Sequence, residues 1–130
     1  MIQLIDTPQT LTGAWSDLGE PIDMVSFSRA GLFFTLDVNS SQNVRVRALG
    51  MRTSTDQTKF AFPLLNPQST VVGLEPEYYE LTTDADGSFV LEIGTNYLVP
   101  YIQFQVMAGT AGTPAGEITQ ADVSLSNAPK

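Results

Sequence analysis

The stretch "LFFTLDVNSSQNVRVRAL" (residues 32–49) decides how the chain is read. Its first part alternates, with Leu32, Phe34, Leu36 and Val38 on one side and Phe33, Thr35 and Asp37 on the other. Its last part does the same, with Val44, Val46 and Ala48 against Arg45, Arg47 and Leu49. A period of two marks a half-buried strand. The residues between, "NSSQN" (39–43), are turn formers, so the spacing predicts a hairpin. Setting Val38 opposite Val44 brings Leu36 opposite Val46 and Phe34 opposite Ala48 on the apolar face. The other face then pairs Asp37 with Arg45, Thr35 with Arg47 and Phe33 with Leu49. One register serves both faces, as a strand pair requires.

The pattern continues outward. "YYELTT" (78–83) leads through "DADG" into "SFVLEI" (88–93), where Phe89, Leu91 and Ile93 alternate with Val90 and Glu92. Asp86-Gly87 is a hairpin-turn signal, so a second pair is expected there. A third is expected between "YIQFQVMA" (101–108) and "ADVSLSN" (121–127). In the first, Ile102, Phe104 and Val106 oppose Tyr101, Gln103, Gln105 and Met107; in the second, Val123 and Leu125 carry the alternation. The connection "GTAGTPAGE" (109–117) is Gly-, Thr- and Ala-rich and reads as a long, mobile or partner-ordered loop. Shorter strands are expected at 2–5, 9–13, 24–29, 59–65 and 70–74. Ten glycines and eight prolines punctuate the chain, and no long helical stripe interrupts the strand pattern. The expected fold is a single domain over residues 1–130, all-β: an antiparallel β-sandwich, jelly-roll-like, with about eight to ten short strands and little or no helix.

Composition narrows the function. A chain of 130 residues that is 42% hydrophobic and 15% charged can bury its own core. Six basic residues against fourteen acidic ones, a net charge of −8, disfavour nucleic acid and anionic membranes as partners. No run reaches transmembrane length, and "MIQLIDTPQT" lacks the pattern of a signal peptide. The absence of both His and Cys removes the Ser-His-Asp triad, a Cys nucleophile and ordinary zinc sites. Acid–base chemistry would rest on carboxylates, Lys or Tyr. No catalytic residue, metal or cofactor is therefore assigned, and the chain is expected not to be an enzyme.

Several motifs carry two readings. "DADGSF" (84–89) begins like a calcium loop, but its sixth position is Phe89 and its twelfth Thr95 where Gly and Glu are needed; the turn reading is preferred over a looser site on Asp84 and Asp86. "EPEYYE" (75–80) places Glu75, Glu77 and Glu80 beside Tyr78 and Tyr79, either an exposed strand face or part of a sugar site. Trp15 is expected at the core or its rim, while Tyr97 and Tyr101 flank "LVP" as a strand-end pair.

The arginines form the last constellation. Arg45 and Arg47 project from one strand face, and Arg52 follows closely. They are either surface charges, Arg45 neutralised by Asp37, or contacts to a partner's acidic surface, for which the planar guanidinium is suited. With Gly109, Thr110, Gly112, Thr113 and Pro114 of the long loop they make up the candidate protein interface.

Three stretches, "MIQLIDTPQTLTGAWSDLG", "LFFTLDVNSSQNVRVRAL" and "VPYIQFQVMAGTAGTPAGEITQADVSLS", carry a Thr/Gln/Gly-rich, Cys-free and His-free style. In this the chain resembles the small all-β virion structural proteins of tailed bacteriophages: capsid decoration (cement) proteins and head–tail accessory proteins. The resemblance implies a non-enzymatic protein that stabilises the phage head by contacts with the major capsid protein or another virion protein. It also implies a homo-oligomer, assembled in the host cytoplasm and located in the virion, with no cofactor, nucleic acid or membrane partner. A neck, tail or baseplate component is the nearest alternative. A carbohydrate-binding sandwich using Trp15, Tyr78, Tyr79 or Tyr101 is another.

Overall fold

The computed structural model describes residues 1–38, 43–61, 69–70, 78–81, 87–94, 99–108 and 116–127. Among them the strands run, in chain order, β1 (Ile2–Gln3), β2 (Gln9–Thr10), β3 (Ser16–Asp17), β4 (Ile22–Asp23), β5 (Arg29–Val38) and β6 (Val44–Met51). They continue as β7 (Phe60–Ala61), β8 (Ser69–Thr70), β9 (Tyr78–Leu81), β10 (Gly87–Gly94), β11 (Tyr101–Ala108) and β12 (Gly116–Ser126). Two antiparallel sheets form. The front sheet has the order β1-β12-β5-β10, with β2 also pairing β12. The back sheet has the order β3-β11-β6-β9-β8, with β4 on β11 and β7 on β6. The sheets pack face to face as a β-sandwich.

Apart from Ile118, which lies before the bulge in β12, the inward faces are those the alternation marked. Leu32, Phe34, Leu36, Leu91, Ile93, Ile118 and Val123 from the front sheet meet Val44, Val46, Ala48, Ile102, Phe104 and Val106 from the back sheet in one buried cluster. Phe34 and Phe89 pack with ring centroids 5.7 Å apart.

The pairing differs from the expectation, three times and in the same way. β5 pairs β10 and β12, whereas β6 pairs β11, β9 and β7. The connection between β5 and β6 crosses from one sheet to the other, so no hairpin forms. The same holds for β9 and β10, and for β11 and β12. Asp37 accordingly lies opposite Glu117, not Arg45. Thr35 lies opposite Ser88, and their hydroxyls hydrogen-bond at 2.9 Å, so it does not face Arg47. The physical reason is that a hairpin and a crossing between packed sheets both bury the same alternate residues. Period two identifies the buried face, not the neighbour across the ladder.

Other boundaries also move, and the strands expected at 2–5 and 9–13 shorten to Ile2–Gln3 and Gln9–Thr10. β12 begins at Gly116, five residues before the expected strand, because a bulge lies between Ile118 and Gln120. The extra residue lets Ile118 and Ala121, three apart, both face the core, which breaks the alternation in sequence. Residues 24–28 are a turn between β4 and β5 rather than a strand. There the Val25 amide donates to Asp23 Oδ1 at 2.9 Å, and the Phe27 amide donates to the Met24 carbonyl.

Candidate functional site

Arg45 and Arg47 do project from one face of β6, the outer face of the back sheet. What meets them is chain of the same protein. The segment before β3 brings Trp15 to this face, where the Arg47 guanidinium carbon lies 4.1 Å from its ring centroid. Arg47 Nε donates to Gln105 Oε1 at 2.9 Å, and Gln105 Nε2 donates to Asp17 Oδ1 at 2.9 Å. β9 supplies Tyr78, whose ring centroid is 6.1 Å from that of Trp15. Arg45 lies 4.9 Å over the Tyr78 ring, while its backbone is in register with Glu80 and Met107.

The two guanidinium groups thus flank an adjacent pair of rings, Tyr78 and Trp15, with an amide and a carboxylate closing the Arg47 end. A guanidinium over an aromatic face contributes about 0.5–1 kcal/mol at exposed sites and more when water is excluded. Tyr78 is only 6 % exposed, so its expected place on a solvated strand face is corrected: the arginines and Trp15 cover it. Trp15 is half-buried and lies outside the core cluster, on this outer face.

Further along β11, Gln103 is buried and donates from Nε2 to the Gly19 and Phe104 carbonyls at 3.1 and 3.0 Å. Gly19 has φ +70°, and a Cβ there would lie 2.6 Å from the Leu4 carbonyl oxygen, so this close crossing of segments needs glycine.

Arg52 belongs to a separate unit. Its Nε and Nη2 donate to the two carboxylate oxygens of Asp56 at 2.8 and 3.2 Å, a two-point clamp. The amides of Arg52 and Thr58 also donate to Asp56. Arg52 is 5.4 Å over the Phe60 ring. The Arg52 side chain, with help from the Thr58 amide, holds the Asp56 carboxyl well below the usual carboxylate range. Asp56 lines a hollow of about 310 Å³ with Asp17, Glu20, Lys59 and Gln103. A carboxylate kept ionised in this way is not a proton donor near neutrality.

Gly109, Thr110, Gly112, Thr113 and Pro114 lie outside the described residues, as do Asp84 and Asp86. The base of the 109–115 connection is described. Its first anchor, the Ala108 amide, donates to the Thr12 carbonyl at 2.8 Å, and the Gly116 carbonyl at its other end accepts from the Leu11 amide at 3.0 Å. Gly116 has φ +117°, and a Cβ there would meet Val38 Cγ1 at 2.7 Å. One N-terminal segment therefore ties both ends of the loop, and glycine is required where it enters β12.

Sequence reasoning placed Arg45 and Arg47 on a common outer face but missed Trp15, Tyr78 and Gln105 as their partners. A signal was present: the outward face of 101–108 carries Tyr101, Gln103, Gln105 and Met107, amides and apolar groups without a charge, which suits a covered face better than a wet one. Comparison with known protein families, with curated proteins and with solved structures finds no match, so the site is read from its own geometry.

Proposed function

We propose that this chain is a non-enzymatic virion structural protein, a capsid decoration (cement) protein that stabilises a phage head through contacts with the major capsid protein or another virion protein. The observation that carries the reading is the pair of half-buried arginines on the outer face of the back sheet, held flat by Trp15, Tyr78 and Gln105. Side chains already ordered lose little entropy when a partner docks on this face, which favours protein–protein recognition. The anchored ends of the 109–115 connection support the same reading, since they fix where this polar stretch of sequence leaves and rejoins the sandwich. Binding of this kind stabilises a shell by mass action on its assembled form. Trp15 and Tyr78 already stack with arginines, which leaves them poor platforms for a sugar.

The test is the copy number in purified particles by quantitative mass spectrometry. Copies comparable in number to the capsid protein are expected for a decoration protein assembled in the host cytoplasm. A few copies per particle would move it to the neck, tail or baseplate. Absence from particles would overturn the virion reading.

A further inference from the structure

The margins of the two sheets are built unequally. β1 and β2 beside β12, β3 and β4 beside β11, and β8 beside β9 are each two residues long. Such short margins offer little template for another chain. The remaining margin is β10, eight residues long and paired along its whole length with β5 on one side. Among the described residues no strand pairs with its other side. An extended edge of this length, rich in apolar side chains, is the kind that recruits a further strand.

The side chains of β10 suit a second copy of itself. We propose that β10 is a homodimer interface in which two copies pair antiparallel across a two-fold axis at Val90, joining the front sheets into one. In that register Val90 meets Val90 on the outer face, and each is flanked by its own Phe33, its neighbour on β5. Val90 and Phe33 are 41 % and 43 % exposed, so the pairing would cover a continuous apolar strip. On the inner face Phe89 meets Leu91. The only charged residue of the strand, Glu92, meets Ser88 of the second copy, and Glu92 is already balanced within its own chain by Arg29 at 3.8 Å. A register shifted by two residues to centre on Leu91 would instead set Glu92 against Val90, and a centre at Glu92 would oppose two carboxylates. Pairing by the same patch on both copies closes the assembly as a dimer.

The contact gives the oligomer expected for a virion protein a definite symmetry, yet it is tested on the isolated chain and is independent of particle copy number. A monomeric chain found abundantly in particles would remove the dimer alone; a dimer absent from particles would remove the virion reading alone.

Sedimentation equilibrium of the full chain over a wide concentration range should show a monomer–dimer equilibrium that tightens with added salt, since two chains of net charge −8 repel. Val90→Lys sets two ammonium groups across the axis and should raise the dissociation constant about tenfold or more. Ser88→Lys and Ser88→Glu both lose the hydroxyl contact with Thr35, but the lysine faces Glu92 of the second copy and the glutamate repels it. The lysine variant should therefore dimerise severalfold more tightly than the glutamate variant. Circular dichroism of each variant checks the fold. A chain that stays monomeric throughout, a Val90→Lys dimer as tight as the parent, or equal constants for the two Ser88 variants would each overturn the interface.

Discussion

The outer faces of the two sheets come from the same alternating pattern and end differently. On the back sheet, Gln103 is 2 % exposed and Leu49, Met51 and Tyr78 are buried, although all of them point away from the core. On the front sheet, Phe33 and Val90 stand exposed, and a hollow of about 190 Å³ lies among Arg29, Gly31, Phe33, Val90 and Glu92. The back face is covered by its own chain, from Trp15 and the residues around Gly19, and its polar groups find partners within the fold. The front face keeps Phe33 and Val90 exposed beside what is, among the described residues, a long edge. An outward position in a strand is therefore not a solvent position until the rest of the chain has been placed.

Substitutions on the two faces should separate them. The largest effect is expected at Gln103. Gln103→Ala removes two hydrogen bonds at a buried site and leaves the Gly19 carbonyl without its donor, which should cost about 2–3 kcal/mol in urea unfolding. An effect near zero would mean that the back face is not sealed. Arg47→Ala comes next, at about 1–2 kcal/mol, from the lost stacking on Trp15 and the lost bond to Gln105. Trp15 is the sole tryptophan, so its fluorescence reports the change directly, and a red shift is expected. Arg47→Lys should recover only part of the loss, because an ammonium lacks the planar fork.

Asp56 tests the other end of the covered region through pH. Its folded pKa is depressed, so its contribution is complete above the ordinary carboxylate value of about 4 and is lost as pH falls below it. Asp56→Asn should therefore be less stable than the parent near neutrality, and the difference should shrink in acid unfolding below about pH 4. A gap that is constant with pH would separate Asp56 from the acid limb. The smallest effect belongs to the front face: Phe33→Thr should change monomer stability by about 0.5 kcal/mol or less, measured at low concentration. A loss comparable to that at Gln103 would erase the contrast between the faces.

The alternation in the sequence marked Leu32, Phe34, Leu36, Val38, Val44, Val46 and Ala48 as one buried set; the structure buries six of them and leaves Val38 half-buried against the core. It placed Arg45 and Arg47 together on the opposite face. It did not reveal that β5 and β6 stand in different sheets, since residues facing across a sandwich and residues facing along a ladder obey the same period. Ile118 was hidden for a different reason: the bulge at Thr119 offsets the pattern by one. Arg47 stacking on Trp15 was beyond reach because 32 positions separate them in the chain and no local rule links a strand to the segment that will cover it.

By itself, then, the sequence determined an all-β chain, the identity of its core faces and the absence of His and Cys chemistry, because these follow from side-chain type and local period. Only the tertiary structure decided which strand pairs with which, that Arg45 and Arg47 rest on Tyr78 and Trp15 rather than on Asp37 and Thr35, and that β10 is a long margin among the described residues. Those depend on contacts between distant segments, whose geometry is set when both sheets close on one core.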